Sequence, residues 1–274
     1  MKNVLLFIMF SGMIGQAAAQ TLSGTVTDKE TREPIAFASV GVTGSGAGTL
    51  SKRDGTYSVK LGAETGPADT VKFYMIGYES LDIPVSELPA SSQLNVSLAP
   101  KSYDAGKVTI KPASYKRRVL GNEIENSIVT AALDTITGSA FELGILLNFK
   151  KEALLEKFSM KVRESSFERL LLRLNVYRKT GEAQFENILS EPIYIELGKI
   201  PRPKMIEVDL TPYDIYVEGD TLVAIEHIED TLTGQLYFQA SFTGSACYSR
   251  KGLGSEWKKN PVKIPFLVTA KVAK

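Results

Sequence analysis

Eight carboxylates crowd one stretch of the chain: Glu207, Asp209, Asp214, Glu218, Asp220, Glu226, Glu229 and Asp230. Paired carboxylates are what glycoside hydrolysis requires, and carboxylates on loops suit a hard cation such as calcium. In a strand Glu207 and Asp209 share a face, as do Glu218 and Asp220. These four are the candidates for acid chemistry or a structural cation, although acids also gather at turns and exposed sheet faces and no calcium-loop repeat accompanies them. Downstream, Trp257 with Tyr248 and Arg250 offers a platform on which a sugar ring could stack, with hairpin or core packing as the alternative. The single histidine, His227, has no nucleophile placed with it and reads as a surface or satisfied core residue. The single cysteine, Cys247, reads as a buried apolar residue rather than a nucleophile, and no cofactor is implied.

The elements that must carry these residues are strands. Leu170, Leu172, Leu174 and Val176 alternate with Arg169, Leu171, Arg173, Asn175 and Tyr177, a period-two pattern with one apolar and one mixed face. Similar alternation recurs at Ile193 to Leu197, Leu236 to Phe242 and Ile264 to Ala270. Leu154, Phe158, Met160 and Val162 share a face if one irregularity falls near Glu156, while Leu146 to Leu155 leaves room for a helical turn. Alternating strands without amphipathic helices between them predict an antiparallel, jelly-roll-like β-sandwich over residues 123–274.

The first half of the chain has a different pattern. Ser23 to Thr27 predicts a strand, and Asp28 to Pro34 a turn. Ile35, Phe37, Ser39 and Gly41 alternate with Ala36, Ala38, Val40 and Val42, small residues that let another layer approach closely. Asp54-Gly55 marks a tight turn into Tyr57 to Leu61, and Val71 to Ile76 is an apolar run ending at Gly77 and Tyr78. With Leu94 to Pro100 and Val108 to Ile110, the order of these elements resembles the carboxypeptidase-like regulatory domain over residues 20–111. That resemblance implies a seven-stranded transthyretin-like or immunoglobulin-like sandwich. It implies no peptidase activity, because a catalytic zinc site commonly takes two or more imidazoles and this chain has one. The same module precedes outer-membrane receptors of Gram-negative bacteria, but the residues after 111 are too few for their barrel. Glu142 to Gly144, Arg173 to Tyr177, Val208 to Asp220 and Leu222 to Ile228 are similar to an uncharacterised region that accompanies this module in exported bacterial proteins.

Residues 1–19 read as a signal peptide: Lys2 supplies positive charge, Val4 to Ile14 is apolar, and Ala17-Ala18-Ala19 fits signal peptidase cleavage before Gln20. The apolar stretch is too short for a membrane span, so none is expected after cleavage. Removing it takes one lysine and leaves 31 basic and 31 acidic residues, a balance that attracts no nucleic acid. A lone cysteine forms no internal disulfide, so both domains must stand on their cores in an oxidising compartment. Lys111, at its edge, and Lys116, Arg117 and Arg118 within it make residues 112–122 a basic linker, or else a contact with anionic lipid or acidic polysaccharide. The resulting expectation is a non-catalytic protein of the periplasm or outer-membrane-associated envelope, binding an envelope protein or glycan. A secreted, glycosidase-like hydrolase using the acid-rich stretch is the alternative.

Overall fold

The computed structural model describes residues 21–44, 46–101, 114–125, 128–134, 140–230 and 233–274. The signal peptide, the Val108 to Ile110 strand and the start of the expected linker lie outside them. Seven strands make up the first domain: β1 (Thr21–Asp28), β2 (Ser39–Val42), β3 (Gly48–Leu50), β4 (Thr56–Lys60), β5 (Thr70–Tyr74), β6 (Leu81–Pro84) and β7 (Val96–Leu98). Among the described residues they form two sheets, ordered β4-β1-β7 and β3-β2-β5-β6, consistent with the expected β-sandwich. Leu22, Val26, Ala38, Val40, Val42, Tyr57, Val59, Val71, Phe73 and Leu98 fill the space between them. The Asp28 to Pro34 turn forms because the Asp28 carboxylate accepts the backbone N–H groups of Glu30 and Thr31.

Twelve strands build the second domain: β8 (Tyr115–Gly121), β9 (Val129–Asp134), β10 (Phe141–Ser165), β11 (Leu170–Gly181), β12 (Gln184–Asn187), β13 (Ile193–Leu197), β14 (Lys204–Asp209), β15 (Tyr216–Asp230), β16 (Gln235–Ala240), β17 (Cys247–Lys251), β18 (Lys258–Asn260) and β19 (Phe266–Ala273). The 25-residue β10 joins them. Its first half lies between β15 and β17, and its second half between β14 and β19. The halves meet at Lys150, Lys151 and Glu152, where the register with β15 slips between Phe149 and Ala153. The extra residues form a bulge that bends the strand, so one chain segment serves both layers of the sandwich. There is no helical turn between Leu146 and Leu155. The irregularity near Glu156 does exist, as a register slip between Leu155 and Lys157. It puts Leu155 rather than Leu154 into the core with Phe158, Met160, Val162, Leu172, Leu174, Ile225, Phe238, Phe266 and Val268.

One correction concerns the expected linker. Tyr115 to Gly121 is an edge strand paired along its length with β19, and Arg117 binds Glu156 at 2.6 Å. Alternating Leu120 packs on the core and supplies the burial that a basic tract alone would lack. Leu170 to Tyr177 of β11 is buried on both sides, because the first domain covers Leu171 and Arg173 on the outer face and Trp257 with Arg250 covers Tyr177.

That cover is close. Phe37, Ser39 and Gly41 point away from the first domain's core and toward the second domain. A Cβ on Gly41 would lie 2.6 Å from the Gly254 nitrogen, and one on Gly254 would lie 2.4 Å from the Val42 carbonyl oxygen. Backbone meets backbone there, so only glycine fits on either side. We expect Gly41→Val to lower stability by about 1–3 kcal/mol through overpacking, measured by urea unfolding. Val59→Ile, which adds a methylene inside the first domain's own core, separates interface strain from ordinary core strain: its unfolding should not detach one domain from the other.

Candidate functional site

The second domain's outer face carries a row of charges in register. Arg173 on β11 lies opposite Glu226 on β15, Glu226 opposite Glu142 on β10, and Glu142 opposite Arg250 on β17. The order across four strands is plus, minus, minus, plus. Arg173 is 1% exposed and donates from Nε and Nη2 to Glu226 Oε2 at 2.9 and 2.8 Å. Asn175 stands between the two acids and donates to both Glu142 and Glu226, at 3.1 and 2.9 Å. Glu142 also accepts from the Tyr177 hydroxyl and from Arg250 Nε, the latter at 2.6 Å. The two carboxylates are neighbours with like charge, and a donor placed between them relieves their repulsion.

Arg173 also reaches into the first domain. Its Nη1 donates to the Phe37 carbonyl at 2.9 Å, and its Nη2 to Ser39 Oγ at 3.2 Å. Phe37 adopts a left-handed backbone, φ 61°, which is strained for a bulky residue. This turn, rather than the strand expected at Phe37, aims the carbonyl at the guanidinium. Around the row, Phe37 and Leu50 pack on Ala140, Leu171 and Ile228, and Arg53 pairs with Glu229 at 2.7 Å near the surface.

Burial disfavours the charge on both arginines, but Glu226 beside Arg173 and Glu142 beside Arg250 more than offset it, and both guanidinium pKa values stand above the ordinary range. Burial raises Glu142, with Arg250 pulling the other way. Burial and then Glu142 push the Tyr177 hydroxyl well up. These groups are held in place by pairing, which is a structural arrangement rather than one that leaves a proton or a nucleophile free for chemistry.

The expected ligand-contact residues do come together. Arg250 lies over the Trp257 ring at 4.6 Å and over Tyr177 at 5.5 Å. Trp257 packs edge-on against Tyr177 and Phe185, and Phe185 against Tyr248. Trp257 is 6% exposed, so its ring is committed to this cluster and offers solvent no stacking face. The acids are dispersed. Glu207 pairs with Lys157, Asp209 caps Thr211, and Asp220 accepts from Asn148 and Lys179. Glu226 is in the buried row. Among the described residues no three His, Cys, Asp or Glu side chains form a group able to hold a metal. His227 is buried against Phe167, and Cys247 is buried in the core.

Glu218 alone of the four acid candidates lines a large cleft. This space of about 630 Å³ lies where Lys101 of the first domain meets Glu186 to Glu191 and Tyr213 to Glu218 of the second. Glu152, Glu186, Glu191, Asp214 and Glu218 give it negative charge against Lys101 and Arg178, and Arg178 is tied to Glu186 at 2.9 Å. Tyr213 and Tyr216 supply aromatic surface. The left-handed Asp214, φ 47°, ends the short helical turn that brings the two tyrosines to the same cleft.

Residues 22–110 match the model of the CarboxypepD_reg-like domain. The first sandwich is thus similar to that domain. No curated protein matches the chain. Among solved structures, an infectious bursal disease virus particle (T13) is 9% identical with TM-score 0.25, over 93% of this chain and 58% of the viral one. A carbohydrate-binding module from the β-sandwich superfamily is 11% identical with TM-score 0.17, over 88% and 97%. The chain thus spans 58% of the viral protein's length, and at such scores neither likeness carries an argument about fold or ligand. The CarboxypepD_reg-like domain is a non-catalytic module, and here the Gly41 and Phe37 edge of that module is the part that grips the second sandwich.

Sequence reasoning missed the row of charges. The available signal was a charge in the middle of an apolar run: Arg173 within Leu170 to Val176, and Glu226 within Leu222 to Ile228. Breaking one partner, as in Arg173→Met, should cost about 3–5 kcal/mol because Glu226 stays buried and unpaired; Arg173→Met with Glu226→Leu should recover part of the loss, read by urea unfolding. Glu156 provides a pH test. The Arg117 hydrogen bond, joined by Lys271, holds its carboxyl below the usual value. Its stability contribution is therefore present above pH 4.5 and lost as pH falls through its folded value. Glu156→Gln should flatten the fall of melting temperature on acidification below that point.

Proposed function

We propose that this chain is a non-catalytic binding protein of the exported cell envelope, in which the CarboxypepD_reg-like domain and the second sandwich act as one body and take a glycan or partner protein in the cleft between them. The observation that carries the reading is the division of polar groups: the charge row Arg173, Glu226, Glu142 and Arg250 is tied up in internal pairing and, through Arg173, in joining the domains, while the open concave surface at the joint is lined by carboxylates and tyrosines. Carboxylates accept from sugar hydroxyls or from basic side chains, and tyrosine rings offer flat apolar surface with little rotamer entropy to lose. The regulatory-like family supports a role without catalysis, and Lys2, the Val4 to Ile14 run and Ala17 to Ala19 support export.

A hydrolase needs an acid held protonated near neutrality or a nucleophile beside a base. The carboxyl whose pKa is raised, Glu142, is buried and held by Asn175, Tyr177 and Arg250, while Asp28, Asp54, Glu156, Asp209 and Asp220 are held low by hydrogen bonds. A glycan array beside a broad hydrolase screen tests the proposal. Binding without turnover is expected, with Tyr216→Ala weakening Kd about 30-fold, the scale of a central aromatic contact. Turnover that disappears in Glu218→Gln while the fold is intact would establish the hydrolase instead.

A further inference from the structure

A second concave surface lies apart from the junction cleft and has the opposite charge. Lys116 and Arg118 of β8, Lys150 and Lys151 at the bend of β10, and Lys274 line a groove of about 340 Å³ floored by Val272 and Ala273. No acidic side chain lines it, and none of the five bases makes an ion pair among the described residues. The strand alternation explains the separation. Arg117 and Lys271 are opposite each other in register and share Glu156 on one face. Lys116 and Arg118 lie on the other face with Leu120, which packs on the core. At β10, Glu152 belongs to the acidic cleft while Lys150 and Lys151 belong to the basic groove.

We propose that this groove binds an anionic polysaccharide, one bearing uronate or other acidic groups along its chain. Five basic side chains on a concave surface focus the field and raise the local concentration of a polyanion. Charges facing inward on an edge strand also guard against strand addition, but that accounts for Lys116 and Arg118 and not for the three lysines that arrive from other segments. A bilayer is the poorer occupant. The apolar residues that line it, Val272 and Ala273, are small, and Val119, the exposed apolar residue of β8, lies on the opposite face, so no large apolar anchor among the described residues stands beside the charges to enter a membrane.

The test uses the full chain and four substitutions together, Lys116→Gln, Arg118→Gln, Lys150→Gln and Lys151→Gln. A charge-matched control carries Lys29→Gln, Lys204→Gln, Lys258→Gln and Lys259→Gln, four exposed bases elsewhere. Binding of polygalacturonate, neutral dextran and phosphatidylglycerol vesicles is measured by titration calorimetry at low and high salt, with circular dichroism confirming the fold of each variant. The proposal predicts polygalacturonate binding that weakens with salt, no dextran binding, and a loss of at least about tenfold in the groove variant but not in the control, as expected when a focused field is removed. Absence of polygalacturonate binding, equal loss in both variants, or binding to vesicles alone would each overturn it. The junction cleft is untouched by these substitutions, so its ligand should be retained whichever result is found.

Discussion

The structure depends on one buried charge row, and above all on Arg173. Burying three ionisable side chains and most of a fourth, Arg250, is costly unless each is paired and hydrogen-bonded. The second sandwich can supply most of those partners by itself, since Arg173, Glu226, Glu142 and Arg250 are cross-strand neighbours. It cannot supply all of them. The guanidinium of Arg173 has two further directions to satisfy, and the Phe37 carbonyl and Ser39 hydroxyl of the first domain fill them. Without the first domain in place, this face would return to water with its charges solvated and its apolar neighbours Leu171 and Ile228 exposed.

Several local features become intelligible from that constraint. The strained turn at Phe37 presents a carbonyl that a regular strand would have paired elsewhere. Glycine at 41 and 254 permits the backbone contact that seals the edge of the interface. Trp257 covers Arg250 at the far end of the row, which keeps water from the Glu142 pair. The same commitment limits function, because the groups with displaced titration serve the joint and the exposed concave surfaces are left to recognise ligands.

Much of the fold was legible in the residues. Asp28 to Pro34, Asp54-Gly55 and the alternation of β2 identify the first sandwich because turn chemistry and local pattern are short-range. The irregularity near Glu156 was visible for the same reason. The strand over Tyr115 to Gly121 was hidden because its charges outnumber its buried residues, and its partner β19 lies about 150 residues away in the chain. The site was less legible still. Trp257, Tyr248 and Arg250 lie in one cluster, but the sequence pattern does not say whether a cluster faces water or is packed away. The alternation of β11 does not say what lies over its second face, and only tertiary contact reveals that Arg173, Asn175 and Tyr177 are under cover. The acids of residues 207–230 looked like one group in sequence, but a strand running through two layers disperses them.

The central claim is that the two sandwiches form one cooperative body through the Arg173 row. Differential scanning calorimetry of the full chain tests it most directly. The account predicts a single transition whose calorimetric and van't Hoff enthalpies agree. Two separate transitions in the native chain, each with the enthalpy of one sandwich, would contradict it.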